Sequence, residues 1–329
     1  MRWKTFLITA LFFVICLAHS SSHGKDIPLT LIYSSNTLGE VEPCGTCPET
    51  GDNGGLARRA HYIKKVREEV KNLLVLDGGD ALVMSYFGRP TEREKAQKKA
   101  EFLLKVYEKI GYDAINIGDT DIGLGIKYLR ALQKRSKIPF LSANLVHSGT
   151  DKPVFKPYLI KEINGSKVGI IGLLPSELPV HMHKELKGYF IKDPFQTATA
   201  MMRYLTTRCD YLIALAHLSL SDIESLIQIS PRFSVIIGGQ DRSFALPKEV
   251  YGSLVVQTDA FGIHIGRLNL KLTKRFSDHF DIFPRTLLQK NIGEYENFMT
   301  LLHPGTESDP EIEKLITASK DQLKKPIPW

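Results

Sequence analysis

Five polar clusters interrupt the sequence, each directly after an apolar run of strand length. Asn36 follows 28–33, Asp77 and Asp80 follow Leu73–Leu76, and Asp119 and Asp121 follow Ile115–Ile117. His217 follows Ile213–Ala216, and Gln240, Asp241 and Arg242 follow Val235–Ile237. Carboxylates, amides and an imidazole are the donors that hold a hard or borderline divalent cation. Loops at the carboxyl ends of strands line the binding crevice of an open α/β sheet, so five such loops point to one common site. Taken singly, each residue has a structural role open to it: a turn or cap for Asp77 and Asp121, a satisfied buried imidazole for His217. A second feature is Cys44-Gly-Thr-Cys47, a C-x-x-C pair suited to thiol redox chemistry, to soft-metal binding or to a local disulfide pinning a long loop. His181-Met-His183 has the strand spacing of a metal pair but lies in a polar, Pro-bounded stretch and reads as surface.

The elements that must position these residues alternate between two periodicities. Strands are expected at 28–33, 73–77, 113–117, 139–143, 155–161, 167–173, 211–216, 233–237, 253–257 and 265–273. Helices are expected at 56–71, 91–110, 124–136, 194–207, 220–229, 293–302 and 309–323. The order is that of a layered α/β fold. Over 91–110, Ala96, Ala100, Leu103, Leu104, Tyr107 and Ile110 form one stripe, with Lys and Glu on the solvated face opposite. Domain boundaries are expected at 1–22 for a leader, 27–285 for one globular domain and 286–329 for a C-terminal helical extension.

Composition excludes several classes. The 329 residues are 43% hydrophobic and 24% charged, which suits a buried core rather than disorder. A net charge of +7 is mild, and the 12 Tyr and 16 Phe do not interleave with basic runs, so nucleic acid is not the expected partner and a small anionic substrate is. Arg2 and Lys4 precede an apolar run from Phe6 to Ala18 that ends in Ala18-His19-Ser20, the three-part pattern of a cleaved secretory leader. The expected location is therefore exported, periplasmic or extracellular, with no stable membrane span after cleavage. Cleavage leaves Cys44, Cys47 and Cys209, of which Cys209 reads as a buried inert thiol.

The stretches Leu31-Ile-Tyr-Ser-Ser-Asn36-Thr-Leu38-Gly39, Asp77-Gly-Gly-Asp80, Gly118-Asp119-Thr120-Asp121, Ala216-His217-Leu218 and Ile237-Gly-Gly-Gln240-Asp-Arg242 occur in a meaningful order and spacing. They resemble the calcineurin-like metallophosphoesterases, and most of all the 5′-nucleotidase type, over residues 27 to 275. Gly54-Gly-Leu-Ala-Arg58-Arg59-Ala60 and Leu141-Ser-Ala-Asn144-Leu145 look like that subfamily's connecting elements. The resemblance implies a four-layer αββα sandwich with a two-metal centre bridged by Asp80, acting on phosphate monoesters, cyclic phosphodiesters or, in some branches, sulfur-linked sulfate.

The departures from the family pattern sort by metal. Where the family has Asp-x-His, this chain has Asn36-Thr37-Leu38; where it has Gly-Asn-His-Glu and then Asp, this chain has Gly118-Asp119-Thr120-Asp121 and then Gly123. The final Gly-His-x-His or Gly-His-x-Gln corresponds to Gly239-Gln240-Asp241-Arg242. One implied metal keeps only Asp80, with weak help from Asn36. The other keeps Asp80, Asp119, His217 and Gln240, a mixed set for one Mn²⁺, Mg²⁺ or Zn²⁺, the alternative being no metal at all. Arg242 then takes the missing metal's place, pairing with Asp80 or clamping an oxyanion bidentately, with Asp119 and Arg242 as the catalytic candidates, the alternative being that it neutralises leftover carboxylates in a dead site. Three functions follow: a divergent one-metal phosphate or related ester hydrolase, a non-catalytic anion- or partner-binding protein on the same scaffold, or a thiol-redox protein using Cys44 and Cys47.

Overall fold

The computed structural model describes residues 27–43, 53–84 and 90–272. The leader, the Cys44 and Cys47 pair and the helices expected at 293–302 and 309–323 lie outside the described residues. In chain order the first half runs β1 (Ile27–Ser34), α1 (Leu56–Glu69), β2 (Leu73–Asp77), α2 (Pro90–Ile110), β3 (Ala114–Asn116), α3 (Ile126–Arg135), β4 (Phe140–Leu141), β5 (Leu145–His147), β6 (Tyr158–Ile163) and β7 (Ser166–Leu173). The second half runs β8 (Tyr189–Ile191), α4 (Pro194–Thr206), β9 (Tyr211–Ala216), α5 (Leu220–Ile229), β10 (Val235–Gly238), β11 (Ala245–Val250), β12 (Ser253–Gln257) and β13 (Gly266–Leu272).

The strands form two large sheets, ordered β13-β1-β2-β3-β4 and β11-β12-β10-β9-β7-β6. Strands β1 to β4 are parallel, as are β7, β9, β10 and β12; the edge strands β13, β6 and β11 run antiparallel to their neighbours. Period-two alternation explains how the sheets face each other. Leu31, Leu74 and Leu76 from the first sheet meet Ile170, Ile213, Leu215, Val235 and Ile237 from the second in one shared core. Their neighbours Ile32, Val75 and Ile115 point the other way, under α1, α2 and α3. Ile171, Leu212, Ala214 and Ile236 likewise point outward, to Leu205 of α4 and Leu226 of α5. Strands covered on both faces must be apolar throughout, as these runs are. The architecture is the αββα sandwich.

Helix starts are chemically marked on the second sheet. The Asp193 carboxylate accepts from Gln196 N, with Pro194 in the first turn, and Ser219 Oγ accepts from Asp222 N. Several expected boundaries move. The helix expected at 124–136 is a short 3₁₀ turn, Asp121–Leu124, followed by α3, because Gly125 at φ 92° breaks the run. The strand expected at 155–161 is shifted to β6, since a tight turn at Asn164-Gly165, both with positive φ, sets its register with β7. β5, β8 and β11 were not expected; β11 carries Pro247 and a register irregularity at an edge, which masks its pattern. Cys209 is buried with a free thiol, as expected. Among the described residues no helix is long and apolar enough to cross a membrane.

Gly266 tests the packing of β13 on β1. It pairs with Tyr33, whose ring is fully buried, and a Cβ at 266 would lie 1.9 Å from that ring. Gly266→Ala is expected to cost about 1–3 kcal/mol by overpacking. Urea unfolding measures it, and an unchanged midpoint would refute this account of the strand pair.

Candidate metal centre

The parallel strands of both sheets end on the same side, and the site is built from the loops that follow them. After β2 the chain turns through Gly79 (φ 123°) to Asp80, itself left-handed at φ 56°. Asp77 makes that turn rigid: its carboxylate accepts from Gly79 N at 2.9 Å and from Ser34 Oγ at 2.6 Å. Asp77 therefore faces back into the scaffold. Asp121 clamps the neighbouring loop, accepting from Leu82 N at 2.9 Å and Gly118 N at 3.1 Å. Both acids serve as turn residues, the structural alternative open in the sequence. Burial pushes the Asp77 carboxyl up to about 6 and that of Asp121, with Asp80 adding to the effect, up to about 8.

Asp80, Asp119 and His217 converge. Asp80 is fully buried; its Oδ1 accepts from Thr120 N at 2.9 Å, and its Oδ2 lies 3.5 Å from His217 Nε2. His217, from the end of β9 in the other sheet, meets Asp119 Oδ1 at 2.8 Å. Glycines make this approach possible. A Cβ at Gly118 would sit 2.1 Å from Asp80 Oδ1, and Cβ atoms at Gly79 and Gly239 would crowd His217 Nδ1 at 2.9 and 2.7 Å. Burial alone would push His217 down, but the charges of Asp80 and Asp119 and the Asp119 hydrogen bond outweigh it and hold the imidazole at about 9. For Asp119, burial pushes up, yet His217, Asp80 and Arg242 draw the carboxyl to about 2. Burial raises Asp80 to about 6 against the pull of His217.

The remaining expected ligands behave differently. Asn36, left-handed at φ 53° and fully buried, is fixed by its main chain, with N donating to Gly79 O and O accepting from Phe261 N. Neither of its side-chain atoms has a partner. Leu38 is buried and apolar, and Thr120 Oγ1 turns away to donate to Val83 O at 2.9 Å. Gln240 makes a main-chain bond to Leu218 O, and no hydrogen bond ties its side chain to the cluster. Arg242, left-handed at φ 54°, places Nη2 3.4 Å from Asp80 Oδ2. Its side chain is 41% exposed and that of Asp119 16%, whereas Asp80 and His217 are wholly covered. The open side of the site is thus the side of Asp119 and Arg242.

These residues fit the chemistry of a divalent cation site. Asp80, Asp119 and His217 each offer a ligand atom within 4.8 Å of the others, the oxygen and nitrogen set a divalent ion takes, and His217 Nδ1 and the Asn36 amide are left unpartnered beside it. On the other side stand an alkyl group and a guanidinium. Two anchoring residues went unnoticed in the sequence. Asn116 Nδ2 bridges Gly78 O and Leu173 O, joining the sheets below the site, and the Thr258 hydroxyl accepts from Ser35 N at 2.8 Å. The amide within the apolar run Ala114-Ile115-Asn116-Ile117 was the signal for the first.

No family model matches the chain. It is 26% identical over 324 residues to the snake venom 5′-nucleotidase of Gloydius brevicauda, covering 88% of this chain and 52% of that protein. It is 30% identical over 180 residues to the 2′,3′-cyclic-nucleotide 2′-phosphodiesterase/3′-nucleotidase of Salmonella typhimurium, covering 51% of this chain and 28% of that one. These relatives are nucleotidases and phosphodiesterases, and they support the resemblance to the metallophosphoesterase/5′-nucleotidase family. The chain's fold agrees: the calcineurin-like phosphoesterase YfkN of Bacillus subtilis superposes with a TM-score of 0.65 at 21% identity, over 83% of this chain and 99% of the solved one. The chain spans about half of the venom enzyme's length and under a third of the Salmonella enzyme's. At the site itself, Asp80, Asp119 and His217 converge with Arg242 alongside.

The Asp119–His217 pair predicts how stability depends on pH. Asp119 is held low in the fold, so its contribution is present above about 4 and lost as pH falls towards 2; His217 is held high, so its contribution is full below about 6.5 and lost as pH rises through 9. In metal-free protein, the stability difference between wild type and Asp119→Asn is expected to peak between those limits and to shrink on both sides. Urea titrations from pH 3 to 10 measure it, and a difference that grows above pH 9 would contradict the pairing.

Proposed function

We propose that this chain is an exported, one-metal hydrolase of phosphate or related esters. The observation that carries the reading is the meeting of Asp80, Asp119 and His217 at the carboxyl ends of two sheets, with Arg242 beside Asp80. In this reading those three hold one Mn²⁺, Mg²⁺ or Zn²⁺, and Asn36 and Gln240 complete its surroundings. An ion held there would supply Lewis-acid polarisation of the ester's phosphoryl oxygens.

The rest is the work of this chain's own side chains. Arg242 offers a forked, permanently charged donor on the open side, where it pairs with an oxyanion of the substrate. Asp119 shares that open side and sets the orientation of His217 through their hydrogen bond. Thr120 stands where the family has a histidine, so proton transfer to the leaving group is weakly served and slow turnover is expected. The leader pattern of 1–22 supports export, and a small anionic phosphate ester is the substrate class that the relatives' names and the arginine favour. One observation favours a second reading, a non-catalytic anion binder: without an ion, His217 and Arg242 already neutralise Asp80 and Asp119.

Elemental analysis after loading with Mn²⁺ or Zn²⁺ separates the two. About one ion per chain, lost in Asp80→Ala and His217→Ala, is expected; no bound ion in wild type would leave the anion-binding reading. Arg242→Ala is expected to keep that ion and to lower kcat/KM for 4-nitrophenyl phosphate by about 10²-fold, the scale of losing one charged donor to an oxyanion. Unchanged kinetics in that variant would remove Arg242 from the site.

A further inference from the structure

We infer that the cavity between α1 and residues 262–265 is a second binding site, for an organic phosphoryl dianion of metabolite size carried on an apolar or aromatic body. The cavity has a volume of about 480 Å³, within the range of small-molecule pockets. One wall is a face of α1, where Arg58, His61, Tyr62 and Lys65 recur at the i, i+3, i+4, i+7 spacing that brings side chains into line. The other wall is Ile263, His264 and Ile265. Among the described residues, every charged side chain lining it is basic. Several bases for one ligand favour a dianionic phosphoryl head, and Tyr62 with the two isoleucines supplies the surface for its body.

A buried base lies behind the exposed ones. Arg59, 5% exposed, lies in the cavity lining, and its Nε and Nη1 have no hydrogen-bond partner; Nη2 makes a long bond of 3.4 Å to Tyr107 Oη. Its charge is answered in part within the fold, by the Tyr107 ring 5.2 Å away and by the buried Asp77 carboxylate, and the exposed bases of the lining face the cavity. The start of α1 adds to the field, since Gly55 offers no capping side chain and the first turn has no acid. Asp80, Asp119 and His217 take no part in the lining, so this site is separate from the metal centre.

Phenylphosphonate, which has no ester bond to hydrolyse, is the probe for calorimetric titration of the full chain. It is expected to bind with one molecule per chain, more tightly than inorganic phosphate or phenylacetate, and equally well in Asp80→Ala. The double variant Arg58→Ala, Lys65→Ala, which changes two exposed helix positions, is expected to weaken binding at least about tenfold. Ile263→Trp, which fills the cavity without altering charge, is expected to abolish it. Absence of binding at millimolar phenylphosphonate, loss of binding in Asp80→Ala, or unchanged affinity in the double variant would each overturn the proposal. Because it does not use the metal centre, its failure leaves the hydrolase reading standing, and the reverse also holds.

Discussion

A carboxylate wholly removed from water governs this structure. Asp80 carries its charge at the seam between two sheets, and an isolated buried carboxylate would protonate rather than stay there. The surrounding chain answers with a main-chain N–H from Thr120, an imidazole from the opposite sheet and a guanidinium from the loop after β10. Each answer requires backbone to come close. Gly79, Gly118 and Gly239 are glycine because any Cβ there would collide with Asp80 or His217.

The same seam depends on buried polar bridges that an all-apolar core would not supply. Asn116 ties the β2 loop to the end of β7, and Ser35 and Thr258 join the end of β1 to the end of β12. Behind the site, Asp77, Ser34 and Tyr112 form one hydrogen-bonded set, and Thr37, Tyr107 and Arg59 another. The first set holds its loop in one arrangement, whereas Arg59 in the second keeps two donors without a partner. The loops therefore act as parts of the rigid sandwich.

The two-metal pattern that the resemblance implies is not matched residue for residue in this sequence. An anionic ligand and an imidazole have become Asn36 and Leu38, and a guanidinium has arrived at Arg242 within reach of the bridging acid. A guanidinium orients an oxyanion but, unlike a metal ion, cannot accept a ligand's lone pair.

The short, wholly apolar runs alternating with helical stripes already contained a layered α/β fold, because strands covered on both faces need Ile, Val and Leu throughout; the four-layer sandwich came only with the family resemblance. The polar residues ending those runs likewise marked Asp80, Asp119 and His217, since parallel strands bring their carboxyl ends together whatever the loops do. Edge strands such as β11 and the Gly125 break were not legible, because they depend on register and on a left-handed backbone rather than on hydrophobic period. Sequence spacing also could not separate Asp77 and Asp121 from Asp80 and Asp119. Which acids turn back to cap their own loops and which face His217 is decided by main-chain N–H groups of Gly79, Leu82 and Gly118, and those positions exist only once the two sheets have packed.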